Sequence, residues 1–237
     1  MTDAHAHIVR GEARHLICEP VDGEIDRIAR AHDSVFYGYH PWQLPDDPAT
    51  SLKRLRERLV ANPAAGVGEI GLDRLRCRTI PSAMREIFTA QLLIAAELRR
   101  PAVLHGAKCW GETVNAIERL FPSGGRPDGL APPPALLFHG FSRADGLLPA
   151  IAAMNGFVSV GPAVLNDHAC NYRELVRKIP AQCVLAETDA TAANAATAPD
   201  IREIVAAIAS LRGVTVEDME TTLDANAERF TAALRTR

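Results

Sequence analysis

Asp3-Ala4-His5-Ala6-His7 opens as a strand-like run and closes on two histidines, and the same event recurs along the chain. An apolar segment ends on Glu69 in Val67-Gly68-Glu69-Ile70-Gly71-Leu72-Asp73, on His105 after Pro101-Ala102-Val103-Leu104, and on His139 after Ala135-Leu136-Leu137-Phe138. It ends on Asp189 after Val184-Leu185-Ala186-Glu187-Thr188 and, more loosely, on His40 after Val35-Phe36-Tyr37-Gly38-Tyr39. In a parallel α/β barrel the strand exits converge on one face, so residues far apart in sequence can meet around one site.

Apolar runs and helical periodicity predict strands at 3 to 7, 15 to 19, 35 to 39, 65 to 70, 101 to 105, 135 to 139, 157 to 160 and 183 to 187. They predict helices at 23 to 32, 51 to 61, 82 to 99, 112 to 121, 144 to 154, 171 to 178, 200 to 212 and 216 to 234, with Ser51, Pro81-Ser82 and Thr215 as start signals. Eight strands with intervening helices make a (β/α)8 TIM-type barrel. Its first unit is degenerate, because only Ile8 to Arg14 separate the first two strands and a helical crossover takes at least about 10 to 12 residues. The Pro/Gly-punctuated segment 122 to 134 and the small-residue segment 191 to 199 read as loops within one domain spanning 1 to 237.

The chain has 237 residues, 47% hydrophobic and 23% charged, enough for one large core. Its net charge of −3, with both signs mixed throughout, excludes the basic stripe that dominates non-specific duplex binding. No apolar stretch approaches the roughly 20 residues of a membrane span, and the start carries no signal-peptide pattern. Five cysteines without a CxxC pair fit reduced thiols. The expected location is therefore the cytoplasm.

On an extended strand His5 and His7 project to one face and can clamp one cation. Glu69 suits a bridging ligand, since one carboxylate can hold two cations about 3.5 to 4 Å apart; the alternative pairs it with an arginine such as Arg74. Asp189 could bind metal and orient the attacking water, or act as a cap or turn residue. His105 and His139, each a plausible core histidine alone, complete six ligands for two cations. Four imidazoles favour Zn or Mn over Mg.

The ordered motifs Asp3-Ala4-His5-Ala6-His7, Gly38-Tyr39-His40-Pro41, Gly68 to Asp73, Phe88 to Trp110, Phe138-His139-Gly140-Phe141, Glu187-Thr188-Asp189-Ala190 and Asn226-Ala227-Glu228-Arg229-Phe230 resemble those of the TatD family of metal-dependent hydrolases. These are deoxyribonucleases on amidohydrolase-type barrels, and the Tyr39-His40-Pro41-Trp42 and Asp73-Arg74-Leu75 segments are similar to a shorter bacterial branch. The resemblance implies that His5, His7, Glu69 and Asp189 hold one divalent metal ion, and Glu69, His105 and His139 a second. It implies a DNA exonuclease working on single-stranded or frayed ends, with a water activated by two metals and Asp189 as general base. It also places His40 at the substrate side of the mouth. Lys108 and Arg74, each following a strand exit, suit a phosphoryl oxygen. Two features depart from the family: the first-helix region, and the small-residue loop 191 to 199 in place of one rich in proline, arginine and asparagine. Both lie where substrate is read, so a metal-dependent hydrolase of a small ester, an amide or an aminoacyl-tRNA ester is the alternative. A partner protein with a vestigial metal site is a third reading.

Overall fold

The apolar runs ahead of the candidate ligands are parallel strands in the computed structural model, which describes residues 1–24, 29–122 and 133–235. In chain order they are β1 (Thr2–Ala6), β2 (Arg14–Pro20), β3 (Ser34–Gly38), β4 (Gly66–Asp73), β5 (Ala102–Ala107), β6 (Leu136–Phe138), β7 (Gly156–Val160) and β8 (Val184–Ala186). Each pairs with its neighbour in sequence, in the order β1 to β8. The first and last strands meet beyond their ends, where Asp189 N–H donates to His5 O at 3.1 Å and His7 N–H to Ala190 O at 2.8 Å. The Asp3 carboxylate reinforces this seam by accepting from Thr188 N–H at 3.0 Å and from its hydroxyl at 2.6 Å. The sheet is thus a nearly closed barrel.

Seven helices lie among the described residues: α1 (Pro48–Ala61), α2 (Ser82–Glu97), α3 (Trp110–Leu120), α4 (Leu148–Ala153), α5 (Cys170–Lys178), α6 (Ile201–Arg212) and α7 (Val216–Arg235). As expected, no helix separates β1 from β2. The helix expected over 23 to 32 has its centre, 25–28, outside the described residues, and its flanks 23–24 and 29–32 are turn and irregular backbone. Most of the loop expected at 122 to 134 likewise lies outside them. The start of α1 is corrected from Ser51 to Asp47-Pro48: the Asp47 side chain accepts from Thr50 N–H at 3.1 Å and proline occupies the first turn. Before α4 the chain makes a single 3₁₀ turn at Asp145–Leu147, with Pro149 setting the α-helix that follows.

Two apolar layers hold the barrel. Outside, the strands pack on α1 to α6. Inside, Ala4, Leu16, Cys18, Phe36, Val103, Leu137, Phe157 and Leu185 form a separate cluster with Ala227, Phe230 and Leu234 of α7. Those three helix positions share one face at 3 and 7 residues' spacing. The Phe230 ring lies 5.7 Å from Phe36 and 5.8 Å from Phe157. Asn226 fastens the same helix to the start of β8 through the carbonyls of Ala181 and Val184, both at 2.8 Å. Helix α7 is therefore the floor of the barrel, which leaves the opposite, carboxyl end of the strands for polar residues. Close approach of β4 to β5 requires glycine at 71, where a Cβ would stand 2.0 Å from the His105 carbonyl.

If α7 is the floor, Phe230→Ala should lower stability by about 3 to 5 kcal/mol in urea unfolding, the range for emptying a buried aromatic site. Val60→Ala on the exposed face of α1 should stay within about 0.5 kcal/mol.

Candidate metal centre

Glu69, buried in the middle of β4, is the hub. Its Oε2 stands 3.5 Å from His5 Nε2 at the end of β1 and 3.5 Å from His7 Nε2 just beyond. Its Oε1 faces a different set: His105 Nδ1 at 2.6 Å, His139 Nε2 at 2.7 Å and His40 Nε2 at 3.3 Å. Asp189 joins from beyond β8, its Oδ1 lying 3.5 Å from His5 Nε2 and 3.8 Å from His7 Nε2. All six predicted ligands therefore meet at one mouth.

The donor chemistry of this cluster fits a cation. His5 is fully buried and neither ring nitrogen has a hydrogen-bond partner. Buried polar atoms are normally paired, so such orphans point to a ligand. Two ligand atoms about 2.1 Å from a shared tetrahedral ion stand about 3.4 Å apart, close to the 3.5 Å separations around His5 and His7. Three sets offer ligand atoms all within 4.8 Å of one another: His5, His7 and Glu69; His40, Glu69 and His105; His5, His139 and Asp189. The second includes His40, which the sequence reading placed among substrate contacts, and His139 groups with His5 as well as with Glu69.

Charge is strongly coupled here. Burial depresses the His5 imidazole well below its ordinary range, and neighbouring His139 adds to the effect, so one ring nitrogen of His5 keeps its lone pair for a ligand. Burial would likewise depress His139, but Glu69 and Glu187 outweigh it and raise its proton affinity well above normal. Burial would raise Glu69, yet His139, His105 and His40 hold its carboxyl well below the usual range. Asp189 is pushed up to about 6, first by desolvation and then by the charges of Glu187 and Glu69; half of its side chain remains open to solvent, which moderates that shift. Imidazoles and carboxylates bind a cation only when deprotonated, so metal affinity must fall as the cluster is acidified.

Three supporting groups escaped the sequence reading. Asp73, the last residue of β4, accepts through Oδ2 from Trp42 Nε1–H at 2.8 Å and sits 2.9 Å from His105 Nε2. That contact sets the tautomer that leaves His105 Nδ1 facing Glu69. The Cys18 carbonyl does the same for His7, 3.0 Å from Nδ1. Glu187 lies 3.7 Å from His139 Nδ1, is held by Gly140 N–H at 2.7 Å, and accepts from the Ser159 hydroxyl. Strand periodicity offered a signal for two of them: Asp73 follows Glu69 by four residues, and Glu187 precedes Asp189 by two. Arg74 is not at Glu69 but on the rim, bound to Glu112 at 3.1 Å and to the Arg78 carbonyl at 3.3 Å. Lys108 is exposed on the loop after β5 and lines a cavity together with His105 and His139.

A parallel barrel with histidines and carboxylates gathered at its carboxyl mouth is the architecture of a metal-dependent hydrolase. Residues 23–232 match the model of the TatD-related DNase family, and the chain belongs to that family. It is 30% identical over 154 residues to the 3'-5' ssDNA/RNA exonuclease TatD of Yersinia pseudotuberculosis, covering 65% of this chain and 56% of the relative. To the uncharacterized metal-dependent hydrolase YabD of Bacillus subtilis it is 24% identical, covering 64% and 56%. Each match thus spans little more than half of the curated relative. The crystal structure of YJJV, a TatD homologue from Escherichia coli K12, superposes with a TM-score of 0.75 over 92% of this chain and 85% of that one, at 19% identity, and shares the fold.

Adding Mn or Zn to metal-stripped protein should raise its melting midpoint in proportion to the logarithm of metal concentration, and Glu69→Ala should abolish the rise. Asp73→Asn should weaken metal binding by about 10- to 100-fold in calorimetric titration, as loss of a partner orienting a ligand does.

Proposed function

We propose that this chain hydrolyses phosphodiester bonds of nucleic acid, DNA foremost, removing nucleotides from single-stranded or frayed ends at a centre of two divalent cations. The observation that carries the reading is the Glu69 carboxylate, whose two oxygens face two different sets of imidazoles, as a bridge between two ions requires. Supporting it is the name of the Yersinia relative. His5, His7, Glu69 and Asp189 would hold one ion, and Glu69, His105 and His139 the other. Their imidazole-rich donors favour Zn or Mn over Mg. When bound, such a pair would supply positive charge against the phosphoryl oxygens and make water at the site more acidic.

The remaining chemistry belongs to the side chains. Asp189, open to the mouth on one side and facing His5 and His7 on the other, takes the proton of the attacking water. His40 closes the cluster on the β3 side, and its Nε2 can donate to a phosphoryl oxygen as readily as it approaches Glu69. Trp42, 46% exposed and anchored through Nε1 to Asp73, stands with its ring centre 4.9 Å from that of His40 and with the Arg76 guanidinium 3.9 Å over its ring, and walls the mouth on that side. We read residues 1 to 237 as one hydrolase domain working in the cytoplasm, in keeping with five free cysteines. Among the described residues no helix is long and apolar enough to cross a membrane.

End-labelled single-stranded and duplex DNA, incubated with stripped protein refilled with Mg, Mn or Zn, should be shortened progressively, the single strand faster. Glu69→Ala and Asp189→Asn should each lower the rate by about 10²- to 10⁴-fold, the scale of a lost acid–base group. Metal bound at about two per chain with no shortening would overturn the nuclease reading in favour of small esters, amides or aminoacyl-tRNA.

A further inference from the structure

Basic residues around the mouth are mostly committed to partners. Arg74 and Arg85 both bind Glu112, at 3.1 and 2.7 Å. Lys178 binds Asp145 at 3.0 Å, Arg173 binds Asp167 at 3.1 Å, and the Arg76 guanidinium lies 3.9 Å over the Trp42 ring. Lys108 and Arg143 differ: both are exposed, and neither makes an ion pair or side-chain hydrogen bond among the described residues. They line the same cavity of about 420 Å³, whose inner wall includes His105 and His139. Arg143 also borders the larger cavity that reaches Asp189, so it stands between the two.

Their backbones carry a second, independent observation. Lys108 and Arg143 both have φ of 56°, in the left-handed region that glycine enters at little cost and a branched-chain Cβ does not. Two long cations therefore occupy loop positions that glycine would fill more easily, one after β5 and one after β6. Such conformations concentrate where a side chain must be aimed at a ligand.

We propose that Lys108 and Arg143 form an anion subsite that binds the phosphate next to the scissile one, so that a polynucleotide passes from the metal centre across the β5–β6 side of the mouth. The inference rests on the phosphodiesterase reading and adds the direction in which the strand lies. Free phosphate shares the chemistry, but the subsite opens directly onto His105 and His139, where the neighbouring phosphate of a chain would be held. Arg143 can take two phosphate oxygens in its fork while Lys108 acts as a point charge.

The test uses Lys108→Gly and Arg143→Gly, singly and together, because glycine suits both backbones; melting midpoints at or above the native value establish that the fold is intact. Binding of a fluorescein-labelled dT12 is followed by anisotropy against salt, with Mn present, in an Asp189→Asn background that suppresses cleavage. The double variant should raise Kd at least tenfold, and its log Kd against log salt should be shallower by about 0.7, the value for one phosphate contact of a single strand. Lys108→Arg should keep the binding that Lys108→Gly loses. Hydrolysis of bis(p-nitrophenyl) phosphate, which has no second phosphate, should change less than twofold in the same variants carrying Asp189.

Unchanged affinity and slope, failure of dT12 to bind the parent, or an equal loss on the small diester each overturns the subsite. Pair-dependent binding of inorganic phosphate without pair-dependent binding of dT12 overturns the polynucleotide assignment. Pair-dependent dT12 binding without any DNA cleavage would instead sink the nuclease reading and leave the subsite standing.

Discussion

A single buried carboxylate organises this protein. Glu69 lies in the centre of the sheet with imidazoles on both of its oxygens, and burying such a charge is costly unless opposite charge meets it from each side. Imidazoles meet it from both sides and hold the Glu69 carboxyl well below its usual range, while Glu69 and Glu187 raise His139. The ring of supporting contacts answers the same need: Asp73 steadies His105, the Cys18 carbonyl steadies His7, and Glu187 approaches His139. Each uses one ring nitrogen and leaves the other toward the hub.

The barrel separates stability from chemistry along its axis. Its lower half is sealed by α7, with Phe230 between Phe36 and Phe157, around an apolar cluster that includes the buried Cys18 thiol, which is pushed well up by burial. Its upper half carries the charged cluster. The seam between β1 and β8 is closed by backbone bonds and by Asp3 with Thr188. Of the non-glycine residues of positive φ among the described residues, Lys108, Arg143 and Asp189 lie on loops that follow strands and border the mouth, while Arg99 and Asn155 follow helices at the other end.

Much of this was legible in the residues. The alternation of apolar runs with helical periodicity defined the strand count, and the candidate ligands stand out because each polar residue follows an apolar run, although Glu69 and His105 fall inside β4 and β5 and not at their ends. The start of α1 was misplaced, since Ser51 resembles a cap while the Asp47-Pro48 pair acts as one. The helix over 23 to 32 was inferred from periodicity alone, and its described flanks do not continue it. Asp73 was overlooked because an aspartate closing a strand reads as a turn residue; only its contacts with His105 and Trp42 distinguish it. Arg74 was weighed as a partner for Glu69 because the two are close in sequence, but it leaves the barrel toward Glu112.

The sequence by itself determined the barrel, its weak first unit and the six residues that meet at its mouth. Those follow from local periodicity and from the rule that parallel strands release their carboxyl ends on one side. Only the tertiary structure decided which imidazole faces which oxygen of Glu69, that His40 stands inside the cluster, and which cations at the rim have no acidic partner among the described residues. Such facts depend on register, strand tilt and the closure between β1 and β8. These fix distances between residues that the chain separates by as much as its whole length, and no local pattern encodes them.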